Sequence, residues 1–85
     1  MAVYLDTSRL RFGRMIMCHM IADTEDELHS MAEKIGMRRE WYQADASTPH
    51  YDVSLSRKAL AIQAGAVVLE RREFVAVIRR LRSSR

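Results

Sequence analysis

Two histidines and two aspartates carry the chemistry that could form a site in this chain. His50 and Asp52 flank Tyr51 in the stretch P-H-Y-D, and His19 interrupts the apolar run M-I-M-C-H-M-I-A. Histidine changes charge near neutral pH, and a neighbouring carboxylate can orient its ring for acid–base work. His50 and Asp52 are therefore our candidate catalytic residues. The second aspartate is Asp6, which follows the short stretch V-Y-L. Our candidates for ligand binding in this part of the chain are Asp6, His19 and Tyr51.

The same side chains also suit a metal ion. Imidazole and carboxylate groups together bind zinc, manganese or iron, and such a set would comprise Asp6, His19, His50 and Asp52. The chain contains none of the diagnostic motifs H-E-x-x-H, Walker A, G-x-G-x-x-G or G-x-S-x-G. The residue types therefore leave acid–base chemistry, a divalent metal cofactor and simple ligand recognition open.

Local signals predict a first helix over about residues 24–35. Thr24 can cap it, and Glu27, three residues later, completes a capping box. Apolar residues then recur at the spacing of one helix face. Gly36 supplies the residue at which such a helix ends.

Two more helices are predicted in the second half of the chain. The second begins at Ser54 or Ser56, which are both good N-caps, and ends at Gly65. The third runs over about residues 71–82, where apolar residues again follow the helical spacing and arginines occupy the other face.

The segments between these helices predict the sheet. Short β-prone or continuous apolar stretches indicate strands at residues 3–5, 15–22, 39–43 and 66–69. Strands that alternate with helices predict an α/β fold with parallel pairs. We expect a small single domain over residues 1–85, with a mixed or parallel sheet of about four short strands and three helices.

That topology would bring the polar residues to one edge. Ligands of open parallel sheets bind beyond the carboxyl ends of the strands. Asp6 and Asp23 follow the first two predicted strands, and the triplet of residues 50–52 lies in the irregular stretch 44–53. The first turns of helices one and two would lie at the same edge and offer N–H groups to an anion. The pattern predicts a cleft for phosphate or a nucleotide.

Charge and composition set limits on the partners. The net charge is +3, and the last fifteen residues contribute much of it. Arg79, Arg80 and Arg82 are candidates for attracting a phosphate-bearing ligand, although a solvated helix face is the more ordinary explanation of such arginines. No apolar run approaches the roughly 20 residues that span a bilayer. Together with the single cysteine, Cys18, this predicts a cytoplasmic protein without a membrane segment.

Structural roles compete with function at several positions. A lone histidine in an apolar strand, such as His19, is more often a hydrogen-bonded core residue. Asp23 can serve only to cap the first helix, and Trp41 can simply pack in the core. These alternatives stand beside the functional interpretation.

Several blocks of the sequence together resemble a known family. They are V-Y-L-D, G-R-M-I-M-C-H-M-I-A-D-T, D-E-L-H-S-M-A-E-K-I-G, H-Y-D-V-S and K-A-L-A-I-Q-A-G-A-V, in this order. They resemble a family of small bacterial and phage proteins, the domain of unknown function DUF4031. The resemblance implies a single cytoplasmic domain of phage or bacterial type. It implies no activity and assigns no catalytic residue.

Three functions follow as hypotheses. The first is an accessory protein that binds a nucleotide or nucleic acid at the histidine and aspartate rim. The second is a metal- or histidine-dependent phosphoesterase, with His50 as acid–base and Asp6 and Asp52 as ligands or orienting groups. The third is an interaction protein that inhibits a host enzyme, which the adaptable side chains of six methionines favour.

Overall fold

The computed structural model describes residues 2–84. These form a mixed α/β fold with three helices, as the sequence predicts. The strands are β1 (Val3–Leu5), β2 (Leu10–Phe12), β3 (Met15–Ala22), β4 (Tyr51–Ser54) and β5 (Val67–Val68). The helices are α1 (Glu25–Lys34), α2 (Leu55–Gln63) and α3 (Arg71–Ser83), and a short 3₁₀ turn covers Arg39–Trp41.

The long strand β3 organises the sheet. Met17 pairs with both β2 and β4, and Met20 pairs with both β1 and β4. Because a strand has two edges, β1 and β2 must share one edge of β3 while β4 occupies the other. All three pairings are antiparallel, and among the described strands only β1 and β5 pair in parallel. The expectation of a mixed or parallel sheet is confirmed as a mixed sheet, in which antiparallel pairs predominate among the described strands.

The helix boundaries follow the predicted caps. Thr24 Oγ1 accepts a hydrogen bond from the Glu27 amide, and Ser54 Oγ accepts one from the Arg57 amide. Gly36 adopts a φ of +78° just beyond α1. Residues with a side chain rarely take this conformation, so glycine ends the helix without the backbone strain that another residue would introduce. The signals that mark these helix ends therefore lie within a few residues of each end.

The strand assignment from the sequence needs correction at three places. Residues 39–43 form no strand, because the 3₁₀ turn occupies 39–41, and Gln43 makes only an isolated bridge to His50. Trp41 is 44% exposed and lies under the Arg57 guanidinium rather than in the core. The sequence analysis also missed β2 and β4. The strand β4 overlaps the stretch 44–53 that was predicted to be irregular and the residue predicted to cap the second helix.

The two faces of the sheet pack against different helices. Leu5, Cys18, Met20 and Val53 are fully buried, and they share one core cluster with the apolar stripe of α1 and with Ala61 of α2. Side chains alternate along a strand, so Tyr4, His19 and Ile21 point to the opposite face. Helix α3 lies over that face, where Arg80 reaches the Tyr4 hydroxyl. No helix within residues 2–84 has the length and hydrophobicity needed to cross a bilayer.

Candidate functional site

Antiparallel pairing of β3 with β4 places His19 directly opposite Asp52. Both residues lie on the face that α3 covers, because their neighbours Cys18 and Val53 point into the core. His50 lies two residues before Asp52, so its side chain points to the same face, and an isolated bridge to Gln43 holds its backbone. The His19 and His50 rings meet edge to face, with centroids 5.2 Å apart. Residues more than thirty positions apart in the chain therefore share one site.

Asp6 holds His19 through both of its carboxylate oxygens. His19 Nδ1 donates to Asp6 Oδ2 at 2.6 Å, and the His19 amide donates to Oδ1 at 2.9 Å. Ser8 Oγ also donates to Oδ1, at 2.7 Å. Asp6 is buried and follows directly after β1, as the sequence predicts. The carboxylate thus fixes the position, the ring orientation and the Nδ1 proton of His19.

These contacts shift the pKa values of both partners. Burial on its own would raise the pKa of Asp6, but hydrogen bonds from His19 and Ser8 outweigh it and lower that pKa to about 2. The hydrogen bond to Asp6 raises the pKa of His19 above its ordinary value, against the effect of partial burial. The pair is therefore a carboxylate with an imidazole that holds its proton more tightly than free histidine.

The second half of the site consists of Asp52 and His50. His50 Nδ1 donates to the Thr48 carbonyl at 2.8 Å, and Gln43 Nε2 donates to Asp52 Oδ2 at 2.6 Å. Asp52 Oδ1 lies 3.3 Å from His50 Nε2 and 3.9 Å from His19 Nε2. Neither contact has the geometry of a hydrogen bond, so this buried oxygen lacks a hydrogen-bond partner among the described residues.

A cleft of about 600 Å³ opens above these histidines. Its floor includes His19, His50 and the Asp6 region, and its opposite wall is α3. The apolar part of that wall consists of Phe74, Val75 and Ile78. Two exposed arginines, Arg71 and Arg82, line it as well. The cleft combines titratable groups, fixed positive charge and apolar surface in a volume typical of small-molecule sites.

The three arginines proposed for ligand attraction are not brought together. Arg82 lines the cleft and donates to Ser47 Oγ at 2.9 Å. Arg80 turns away and forms an ion pair with Asp23 at 2.7 Å. Arg79 lies in a neighbouring surface groove, which shares Arg71 and Val75 with the cleft, and it does not line the cleft itself. Of the three, only Arg82 is positioned to reach a ligand in the cleft.

Tyr51 and Asp23 also lie away from the cleft. Tyr51 is fully buried, and a hydrogen bond of 2.8 Å joins its hydroxyl to His29 Nδ1 within the core. Asp23 accepts from the Ala2 amide, the Tyr4 hydroxyl and Arg80, while Thr24 caps α1. The expectation that Asp23 caps this helix is wrong.

The expected alignment of two helix N-termini is wrong as well. Helix α1 follows β3 and α2 follows β4, and these two strands are antiparallel. The two helices therefore begin at opposite ends of the sheet. The helix that lines the cleft is α3.

The sequence did not predict the roles of several residues that support the site. Ser8, Gln43 and Thr48 hold Asp6, Asp52 and His50 in place, and Arg71 lines the cleft. Ser8 had a usable signal, because a serine two residues after an aspartate commonly bonds back to it. Gln43 and Thr48 reach the site because of the β3–β4 pairing and the loop before β4. No local sequence pattern predicts this.

The arrangement supports two kinds of chemistry. An imidazole oriented by a carboxylate can move protons at the cleft floor. Two imidazole Nε2 atoms and one carboxylate oxygen that converge can also hold a cation. The His19, His50 and Asp52 ligand atoms all lie within 4.8 Å of one another. Cys18 takes no part, because it faces the core and burial raises its pKa to about 11.

Comparison with known proteins identifies the family. Residues 3–81 match the family model described as Protein of unknown function (DUF4031). Searches of curated proteins and of solved structures gave no significant match. The family match extends over nearly all of the 85 residues and agrees with the resemblance seen in the sequence blocks. The chain therefore belongs to the DUF4031 family.

Proposed function

We propose that this chain binds a nucleotide, or another small ligand that carries phosphate, in the cleft between the sheet and α3. The observation that carries the proposal is the composition of the cleft walls. Phosphate would meet His19 and His50 on the floor and Arg71 and Arg82 on the wall. The base would pack against the apolar surface of α3.

Electrostatics favour an anion at this position. Arg71 and Arg82 carry permanent charge, and the guanidinium group matches phosphate oxygens with paired N–H donors. His19, whose pKa is raised, adds positive charge as the pH falls. Because both arginines are exposed, their attraction is screened by salt and the affinity should fall as ionic strength rises.

The size of the cleft favours a nucleotide over a long nucleic acid. A volume of about 600 Å³ lies within the range of pockets that enclose one small ligand. Nucleic-acid grooves instead track several backbone phosphates with a continuous basic surface. Here Arg80 pairs with Asp23 and Arg79 lines a neighbouring groove, so two of the three arginines proposed for ligand attraction do not line the cleft.

Calorimetric titration of metal-stripped protein with AMP, ATP and inorganic phosphate tests the proposal. We expect binding at low salt that weakens at high salt. Arg82→Gln should weaken it about tenfold, equivalent to about 1.4 kcal/mol and the size of one charge-assisted hydrogen bond. Arg79→Gln is the matched control on the same helix and should leave affinity unchanged. Absence of binding at low salt, or equal losses in both variants, would contradict the proposal.

A second candidate function is hydrolysis of the bound phosphoester. The observation that favours it is the Asp6–His19 pair at the cleft floor, since a base held by a third group is the usual arrangement for proton transfer. Turnover of a generic phosphodiester should be lost in His19→Ala and in His50→Ala. Turnover that persists in both variants would remove this candidate while leaving ligand binding untouched.

A further inference from the structure

We infer that His19, His50 and Asp52 bind a divalent first-row transition metal ion, of the kind represented by Zn²⁺, at the floor of the cleft. The site does not depend on the nucleotide proposal, because its ligands and their supporting groups all belong to the protein. Four residues were predicted from the sequence as possible ligands. In the structure three of them are placed to act as ligands, and the fourth, Asp6, supports His19 instead.

The distances suit a metal ion. Asp52 Oδ1 lies 3.3 Å from His50 Nε2 and 3.9 Å from His19 Nε2. Ligand atoms of a tetrahedral zinc site with bonds near 2.0–2.1 Å are about 3.3 Å apart. One pair already has this separation, and side-chain rotations would bring the other two pairs, which lie within 4.8 Å, into range. The ion would sit beside the cleft floor, with its remaining coordination positions open to the cleft.

The protonation of the two imidazoles is set by their outer contacts. His50 Nδ1 faces the Thr48 carbonyl, which can only accept, so this nitrogen carries the proton. His19 Nδ1 faces the ionised Asp6 carboxylate and carries its proton for the same reason. In the neutral ring, each Nε2 therefore presents a lone pair toward Asp52 Oδ1.

Three hydrogen-bond acceptors, each with a lone pair, thus converge with no hydrogen-bond donor between them. Asp52 Oδ1 is buried and has no hydrogen-bond partner among the described residues. A buried carboxylate oxygen without a partner is costly. A cation coordinated by His19, His50 and Asp52 would satisfy all three atoms together, which explains why the chain keeps this oxygen unpaired.

Each ligand also has its own supporting partner. Asp6 fixes His19, the Thr48 carbonyl fixes His50, and Gln43 fixes the second oxygen of Asp52. Metal-binding histidines and carboxylates characteristically bond such outer groups, which set tautomer and orientation. A chance cluster of surface side chains has no reason to show a complete set of these contacts.

The donor types select the class of ion. Two imidazoles and one carboxylate suit Zn²⁺, Fe²⁺, Co²⁺ or Mn²⁺, whereas Mg²⁺ and Ca²⁺ prefer oxygen ligands throughout. Asp6 is excluded as a ligand because its oxygens already accept hydrogen bonds from His19 and Ser8. The fully buried thiol of Cys18 lies on the opposite face.

The test uses the full chain, stripped with a chelator and titrated with Zn²⁺, Co²⁺ and Mg²⁺ separately. We expect one Zn²⁺ per chain and visible absorption bands of protein-bound Co²⁺. We also expect the melting temperature to rise by roughly 10 °C when Zn²⁺ exceeds its Kd a hundredfold. Mg²⁺ should produce no such change.

Variants locate the ion. Asp52→Asn and His50→Gln should each abolish one-to-one binding, and Asp6→Asn should weaken it about 10–100-fold through the loss of an outer partner. Asp45→Asn removes an exposed carboxylate of the neighbouring loop and should change nothing. Circular dichroism of each metal-free variant establishes that it is folded, and having two ligand variants keeps the test decisive if one fails to fold. The inference is overturned if Zn²⁺ and Co²⁺ do not bind, or if binding survives in the folded ligand variants.

Discussion

Replacing Asp6 with asparagine should destabilise the protein in a way that depends on pH. In the folded chain the Asp6 pKa is about 2, compared with an ordinary value of 3.8. A tenfold change in a protonation equilibrium is worth about 1.4 kcal/mol, so the ionised carboxylate stabilises the fold by about 2 kcal/mol. Asp6→Asn keeps the shape but removes the charge that accepts from His19 and Ser8.

The sign of each pKa shift defines the pH window. The folded pKa of Asp6 is lowered, so its contribution is present above pH 3.8 and is lost as the pH falls toward 2. The folded pKa of His19 is raised above 6.5, so the ionic part of the pair is complete below pH 6.5 and is lost as the pH rises through the folded value. The variant should therefore differ most from the natural chain between about pH 4 and 6.5.

Urea unfolding of the natural chain and Asp6→Asn, with chelator present throughout, measures this difference. We expect about 2 kcal/mol between pH 4 and 6.5, or roughly 10 °C in melting temperature for a domain of this size. The difference should shrink toward acid and, less completely, toward alkaline pH. Asp45→Asn, which removes an exposed carboxylate, serves as the control and should show no such profile. A loss of stability that stays constant across the pH range would refute the assignment of the stabilisation to this ion pair.

Three other substitutions test features of the fold. Tyr51→Phe removes the buried hydroxyl that bonds His29 and should cost about 1–2 kcal/mol in urea unfolding, with ligand binding unchanged. Arg80→Gln breaks the exposed ion pair with Asp23, so its small loss of melting temperature should disappear at high salt. Gly13→Ala places a side chain at a φ of +62° and should cost about 1 kcal/mol through strain in the β2–β3 turn rather than through a clash.

The helices could be predicted from the sequence because their signals are local. Thr24 and Ser54 bond amides within three residues, and glycine follows α1 where the chain turns left-handed. The strands β2 and β4 were missed since they depend on partners elsewhere. The dipeptide G-R between the stretches L-R-F and M-I-M, which both contain large apolar residues, was nevertheless a readable hairpin signal.

The site residues could be predicted by type, but not by arrangement. Asp6, His19, His50 and Asp52 do gather at one place, although antiparallel β3–β4 pairing brings them together rather than a parallel sheet edge. The arginines of α3 show that a helical pattern predicts which residues share a helix face but not what that face contacts. Arg79 and Arg82 share a helix yet face different grooves, and which of them faces the cleft depends on how α3 packs on the sheet.

The alternation of side chains along β3 and β4 has a consequence for how this chain can change in length. His19 and Asp52 point to the cleft, while the adjacent Cys18 and Val53 are fully buried in the core. Inserting or deleting one residue in either strand would exchange these two sets, so the site and the core would be lost in the same step. Relatives that differ in length should therefore carry their insertions in the loop at 44–49 or near Gly13, and not within the paired strands.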